Sequence, residues 1–440
     1  MILKTRAIRC NKAELCRIPA TTLDPEPFIF IPLTNTRCAK AELSIKEGDQ
    51  VYVGETIGLR HGAFFDQPIL STVSGIYQGL EKHGYRNGKV IDYLKIQNDK
   101  KDTLDPSIHE RTDEDIAKLT KDQITDIVKA KALVGLGGSS FPTYVKFQTK
   151  NPIKYILING IECEPFLTSD HRFMVEHADE ILGGIKIMQQ AFACEDARIC
   201  FKGVYTELVD FWNDYLAKNP VKGVSISLMD NYYPQGWETA MIKKAVGVDV
   251  PSGHLPSEYG VINFNVATAA GVYFAVKKDL PVLDREVSVY GEGIKHPSNY
   301  VVRIGTPFKT LIEKSGGYVD EKNDDKILIV GGPMMGGTIP NDDCVVSPTV
   351  TSLLIQKQYR GAEEPCIRCG SCVYSCPVGL EPVTIMRAMR PDWPFKVSEK
   401  YVKSLNVMKC MECGLCTYSC TSKIPLLSII REAKLIARKK

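Results

Sequence analysis

Hydrophobic and polar positions change rhythm several times along the chain, and each change marks a segment. Residues 1–35 hold no sustained rhythm, because Pro19, Pro25, Pro27 and Pro32 interrupt any long element. From about Ala41 the apolar positions come in short runs between glycine turns. Leu43-Ser44-Ile45 precedes Glu47-Gly48-Asp49, Val51-Tyr52-Val53 ends at Gly54, and a third run, 69–76, surrounds Gly75. This spacing predicts compact β structure over 36–98. A stretch rich in Asp, Lys and Pro (99–111) reads as a linker. Beyond it the period becomes helical. Thr112-x-x-Asp115 and Thr120-x-x-Gln123 are capping-box signals, and the second precedes Ile124, Ile127 and Val128 at helical spacing. Tyr155-Ile156-Leu157-Ile158 is a continuous apolar run, the pattern of a strand buried on both faces of a parallel sheet. Helical patterns over 173–193, 206–216 and 238–246 alternate with strands over 198–201 and 224–229, so 112–280 is expected to be an α/β domain. After Arg285 short strands return at 287–291, 300–304 and 326–330 around one helix, 308–315, which suggests a β-grasp-like module over 281–345. A polar link at 360–365 leads into the last segment, 358–440, with helices predicted at 383–389 and 398–405. The expected class is multidomain α/β.

Composition narrows the function. Lys+Arg 55 against Asp+Glu 52 leaves no basic field for nucleic acid. The N-terminus lacks the apolar core of a signal peptide, so the chain is expected in the cytoplasm. The run 261–276 is too short to span a bilayer and contains Asn263 and Asn265. Residues 424–440 are an amphipathic helix candidate with Leu427, Ile430, Lys434 and Arg438 in register. Such a tail either packs on its own domain or docks on a membrane partner.

Fifteen cysteines in such a chain point to metal chemistry before disulfides. Cys366-x2-Cys369-x2-Cys372-x3-Cys376-Pro377 is repeated as Cys410-x2-Cys413-x2-Cys416-x3-Cys420. Each run has the bacterial ferredoxin spacing for [4Fe-4S] clusters, in which the fourth cysteine serves the other cluster. Cys366, Cys369, Cys372 and Cys420 are therefore expected to hold one cluster, and Cys410, Cys413, Cys416 and Cys376 the other. A zinc ribbon would use two CxxC pairs and leave the third cysteine of each run without a role. Cys10, Cys16, Cys38, Cys163, Cys194, Cys200 and Cys344 show no ligand spacing and read as small buried hydrophobes.

A donor must feed such clusters. Residues 135–143 form a glycine-rich loop, and the strand ending at Ile158 runs into Asn159-Gly160-Ile161-Glu162-Cys163-Glu164-Pro165. Glycines let backbone N–H groups approach a phosphate, and α/β domains bind ligands at the C-terminal ends of their strands. The loop is neither G-x-x-x-x-G-K-S/T nor G-x-G-x-x-G, so by itself it also fits a bare tight turn, and the carboxylates a solvated loop end.

Two resemblances bear on this. IKEGDQVYVGETIG (45–58) with ILSTVSGIY (69–77) resembles the barrel-sandwich hybrid of biotinyl and lipoyl carriers, but residues 59–72 contain no attachment lysine, so the module is expected to be structural. GLGGSSFPTYVK (135–146) with NGIECEP (159–165) resembles the C subunit of Rnf-type electron transport complexes and, more distantly, the flavin subunit of respiratory NADH dehydrogenase. YPQGWETAMIKKAVG (233–247), VPSGHLP (250–256), NVATA (265–269), VRIGTP (302–307) and GGPMMGG (331–337) extend the likeness. It implies the order barrel-sandwich hybrid, Rossmann-like flavin/NADH domain, SLBB-type β-grasp, helical diferredoxin. It implies FMN around Gly135, Gly137, Gly138, Lys146, Asn159, Asn265 and Thr268, and NAD(H) near Phe141, Glu162 and Glu164. A flavin takes electrons in pairs and releases them singly, so no side-chain acid or base is required.

The resemblance implies an NADH-oxidising or NAD-reducing subunit, peripheral on the cytoplasmic face of a membrane. Its partners would be membrane-bound electron-transfer subunits, with ferredoxin met indirectly. Departures from the family pattern are Ser139-Ser140, Trp237, Thr36-Arg37-Cys38 and a missing Gly-Gly-x-His-Pro stretch. They keep open a soluble paralogue serving a proline or corrinoid reductase. A passive iron–sulfur relay without nucleotide is the third reading.

Overall fold

The computed structural model describes residues 8, 12, 15–320, 326–357, 361–390 and 399–438. The first β module pairs two sheets. One runs in the order Phe28–Pro32, Val90–Asn98, Gly75–Gly84, Gln50–Val51, and the other joins Lys40–Leu43, Thr56–His61 and Asp66–Leu70. Ile29, Ile31, Ile57, Ile69, Leu94 and Ile96 fill the space between them. The strand Phe28–Pro32 lies in the stretch expected to be irregular. Pro27 and Pro32 bound the strand instead of breaking it, since a sheet-edge strand tolerates proline at its ends. The run 69–76 is likewise split, because the chain leaves one sheet after Leu70 and enters the other at Gly75.

Both predicted capping boxes form, at Thr112 and Thr120, and open the helices Asp113–Ala117 and Lys121–Ala130. The α/β domain has a parallel sheet in the order Val224–Met229, Ala197–Lys202, Tyr155–Asn159, Val261–Asn265. The helical pattern at 173–193 is two helices, Ser169–Glu176 and Ala178–Phe192, divided at the non-helical His177. The apolar run 261–276 divides at Asn265, which ends a strand and caps the helix Val266–Lys277 by accepting from the Ala267 N–H at 3.0 Å. That helix packs against Ala178–Phe192 so closely that a Cβ on Gly184 would lie 1.8 Å from the Ala269 carbonyl oxygen.

The second β module is a six-stranded sheet with the helix Phe308–Lys314 against it. Its strands run Thr21–Thr22, Ser298–Arg303, Asp284–Tyr290, Ser352–Lys357, Lys326–Val330, Gly337–Ile339. Ser352–Lys357 lies past residue 345, yet sits inside this sheet, parallel to one neighbour and antiparallel to the other. The last domain is helical. Its closing helix, Leu426–Ala437, buries Ile430, Ala433 and Ala437 in the domain's own core, and Lys434 Nζ donates to the Cys410 carbonyl at 3.0 Å. Of the two fates open to this tail, the structure shows packing on its own domain. No helix among the described residues is long and apolar enough to cross a membrane.

Candidate functional site

The strand order reverses between Tyr155–Asn159 and Val261–Asn265, since the two strands that follow the first lie on one side of it and Val261–Asn265 on the other, and the C-terminal ends, Asn159 and Asn265, are paired in register. That is the switch point where open α/β sheets bind ligands. A cavity of about 770 Å³ opens there, within the range of cofactor sites. Gly135, Gly137, Gly138, Phe141, Lys146, Asn159, Glu162, Glu164, Asn265 and Thr268 all line it. The glycine loop is held over the sheet by Thr268, whose Oγ1 accepts from the Leu136 N–H at 2.9 Å. Gly138 has φ +97° and no heavy atom within 4 Å of where a Cβ would stand, so its backbone faces open space.

The cavity's charges are unevenly paired. Lys146 Nζ donates to the Asn263 carbonyl at 2.7 Å, and burial lowers its pKa. Glu162, at φ +43°, accepts from the Asp170 N–H at 2.9 Å and meets Lys12 Nζ at 3.5 Å. Glu164 accepts from the N–H groups of Met334 (3.0 Å) and Met335 (2.7 Å), which pins the 331–337 loop against the cavity. Burial pushes the Glu164 carboxyl up to about 7. Asp170 is also pushed up to about 7, chiefly by burial, and accepts from Asn265 Nδ2 at 2.6 Å. Lys12, Asp170 and the 331–337 loop reach the site from distant parts of the chain. Sequence inspection singled out only the last of them.

The departures from the family pattern also meet here. Arg37 Nη2 donates to the Ser139 carbonyl at 2.9 Å, and Arg86 Nη2 donates to Ser140 Oγ at 2.7 Å. Trp237 lines the cavity next to Gly236, and Cys163 stands on the other side of that glycine. Cys163 is half-buried: it packs against the core residues Leu157, Ile161 and Met241 and also lines the cavity, with its thiol pushed up to about 11 by burial. Cys16, Cys38, Cys194, Cys200 and Cys344 are buried, and Cys10 lies outside the described residues.

The ferredoxin-spaced cysteines line two further cavities. Cys366, Cys369, Cys372 and Cys420 surround one of about 190 Å³, and Cys376, Cys410, Cys413 and Cys416 surround a smaller one. The fourth cysteine of each run therefore faces the other run's cavity. Among the described residues no three His, Cys, Asp or Glu side chains converge on a single-ion site. The second set abuts the α/β domain: Tyr233 Oη donates to the Cys413 carbonyl at 2.7 Å, and Met411 lines both this cavity and the large one.

Comparison with known proteins follows the same division of the chain. The RnfC barrel sandwich hybrid domain matches residues 8–101, the Nuo51 FMN-binding domain 128–274, the SLBB domain 287–337 and the 4Fe-4S dicluster domain 365–425. The C subunit of the Na(+)-translocating ferredoxin:NAD(+) oxidoreductase complex of Acetobacterium woodii is 33% identical over 430 residues, covering 96% of this chain and 94% of that protein. The chain belongs to the RnfC family. Another relative, the C subunit of the ion-translocating oxidoreductase complex of Rhodobacter capsulatus, is 33% identical over 82% of this chain and 69% of its own length. An NAD+-reducing [NiFe]-hydrogenase structure in the H2-reduced state shares the fold, with a TM-score of 0.50 at 16% identity over 73% of this chain and 63% of its own. As an RnfC-family chain with an FMN-binding and a dicluster domain, this is a flavo-iron–sulfur electron-transfer subunit of the oxidoreductase class.

Proposed function

We propose that the protein exchanges electrons between NAD(H) and a one-electron partner, with FMN in the large cavity and a [4Fe-4S] cluster in each cysteine set. The observation that carries this reading is the shared wall: Met411 lines the FMN-sized cavity and the inner cysteine cavity at once. When bound, FMN trades an electron pair with NAD(H) and single electrons with iron–sulfur centres. The chain's own residues place it. The open backbone at Gly138 admits a close approach, Gly137 lies against the Asn265 side chain, and Lys146 supplies charge. A buried ammonium with only carbonyl acceptors is the state that an arriving phosphate relieves. Asn159 and Asn265, fixed at the two strand ends, would hold FMN from the sheet side. Phe141, Glu162 and Glu164 form the nicotinamide side, where Glu164 acts by holding the 331–337 loop as a cover.

By kinship with subunits of ion-translocating complexes we assign other electron-transfer subunits as partners, with ferredoxin met through them and this chain peripheral on the cytoplasmic face. The test uses the anaerobic protein with flavin and clusters loaded. NADH is expected to bleach the cluster absorption and to reduce an artificial acceptor. If dithionite reduces the clusters while neither NADH nor NADPH does, a passive relay replaces this reading.

A further inference from the structure

Two arginines stand at the mouth of the large cavity, and none of the expected cofactor contacts uses them. Both come from the barrel-sandwich domain. Arg86 lines the cavity from the turn joining Gly75–Gly84 to Val90–Asn98, and the exposed Arg37 lies with its guanidinium 5.5 Å from the Phe141 ring centre. The surrounding residues Thr36, Asn87, Gly138 and Ser139 are exposed, which makes this the solvent end.

Charge separates this end from the other. Glu162, Glu164 and Asp170 are gathered in the interior around the two strand ends, where a further anion is unwelcome. Of the interior cations, Lys12 pairs with Glu162, Arg285 donates to the Leu136 carbonyl near Asp170, and Lys146 is the one assigned above to the flavin phosphate. At the mouth the balance is reversed. Arg37 donates to the Ser139 carbonyl, and Arg86 to Ser140 Oγ and, at 3.4 Å, to the Gly138 carbonyl. Neither guanidinium has a carboxylate within ion-pair distance among the described residues. Neutral acceptors fix the two forks in place and leave most of their N–H groups free, an arrangement suited to a phosphate.

A role for these arginines rests on the function proposed above, in which the nicotinamide meets a flavin held in the interior. A dinucleotide so placed must extend its phosphates and adenosine toward the mouth. We infer that Arg86, assisted by Arg37, forms a phosphate subsite for the nicotinamide dinucleotide, supplied by the barrel-sandwich domain. The phosphate is either the diphosphate common to NADH and NADPH or the 2′-phosphate of NADPH alone.

Calorimetric titration of the full-length, flavin-loaded protein with ADP-ribose and with 2′-phospho-ADP-ribose tests this without requiring hydride transfer. Arg86→Gln is expected to weaken binding by about 10-fold and to flatten its salt dependence, with flavin content unchanged. Arg86→Lys should recover part of the loss, and Arg37→Gln should show a smaller one. Weakening of both probes identifies the diphosphate, and weakening of the 2′-phosphorylated probe alone identifies the 2′-phosphate. Unchanged affinity in Arg86→Gln overturns the subsite, as does a loss matched by loss of flavin, which would make the arginines loop clamps only. Failure of the wild type to bind either probe overturns it too. Wild-type protein that binds ADP-ribose without oxidising NADH would instead overturn the proposed function and leave the subsite standing.

Discussion

The two cysteine sets start from nearly the same sequence and reach the same backbone. Arg368 and Glu412, third in each run, have φ of +57° and +58°. Gly370 and Gly414 follow at +74° and +76°, and each opens a short helix, Ser371–Tyr374 or Leu415–Tyr418. The surroundings then diverge. Ile367 is 69% exposed, whereas its counterpart Met411 is 6% exposed. Cys369 is exposed and Cys413 buried. A Cβ on Gly414 would stand 2.7 Å from the Met334 carbonyl oxygen, while one on Gly370 would meet only the Tyr374 ring. Local sequence thus builds two equivalent cluster cradles, and tertiary cover makes one an inner station beside the cavity and the other an outer station at the surface. Cover and hydrogen bonding are among the terms that set cluster potentials.

The largest expected effect comes from removing ligands one station at a time. Cys413→Ala should abolish NADH-dependent reduction of both clusters, because the outer set touches the cavity nowhere. Cys369→Ala should leave the inner cluster's EPR signal reducible by NADH and stop delivery to a partner. The crossed ligands give the sharper check: Cys376→Ala should erase the inner signal and Cys420→Ala the outer. The reverse pattern would show that the fourth ligands do not cross.

A smaller effect separates the inner station from its supply. Lys146→Ala should weaken FMN retention by about 1.5–3 kcal/mol, the worth of one charge-assisted hydrogen bond. Equilibrium dialysis reads this directly. Both clusters should still accept electrons from dithionite, since Lys146 lines neither cysteine cavity. Unchanged flavin affinity would remove Lys146 from the phosphate role.

How much of this contrast was legible beforehand depends on range. The cysteine runs carry their chemistry in their spacing, and the apolar run 155–158 has the pattern typical of a strand buried on both faces. Strand–helix patterns with local signals, such as 224–229 and 238–246, lie where expected. What escaped was set by contacts far along the chain. Phe28–Pro32 is a strand because Val90–Asn98 pairs with it, and Ser352–Lys357 because two strands before it leave a gap. Lys12, Asp170 and Arg86 are ordinary residues in sequence. They enter the site only because the N-terminal segment, a helix start and a hairpin turn converge on it.

The cover over the inner station should also respond to pH. Glu164 fixes Met334 and Met335, and Met334 lies on Gly414. Burial raises the folded-state carboxyl from 4.5 to about 7. A raised carboxyl favours folding fully below pH 4.5, and that contribution is lost as pH rises through about 7. The melting temperature of the wild type should therefore fall more between about pH 5 and pH 8 than that of Glu164→Gln. Parallel curves would mean that Glu164 ionises at its ordinary pKa.

The smallest effect probes the one position where the two cradles differ in charge. Glu412 brings a carboxylate beside the inner set, but Arg431 Nε donates to it at 2.8 Å and Lys434 pairs with it as well. Arg368, at the equivalent place, is exposed to solvent and has no ion pair among the described residues. Neutralising Glu412 with Gln leaves two cations facing the inner cluster without their counter-ion. A more positive surround favours the reduced cluster, so its potential should rise, by tens of millivolts. Arg368→Gln removes a positive charge and should lower the outer potential. Its shift should be the smaller of the two, because water and salt screen an exposed charge more than one held against a domain core. EPR-monitored redox titration of both variants would read the two shifts in opposite directions. Shifts of the same sign, or a larger one at the outer station, would mean that tertiary cover does not set the difference between the cradles.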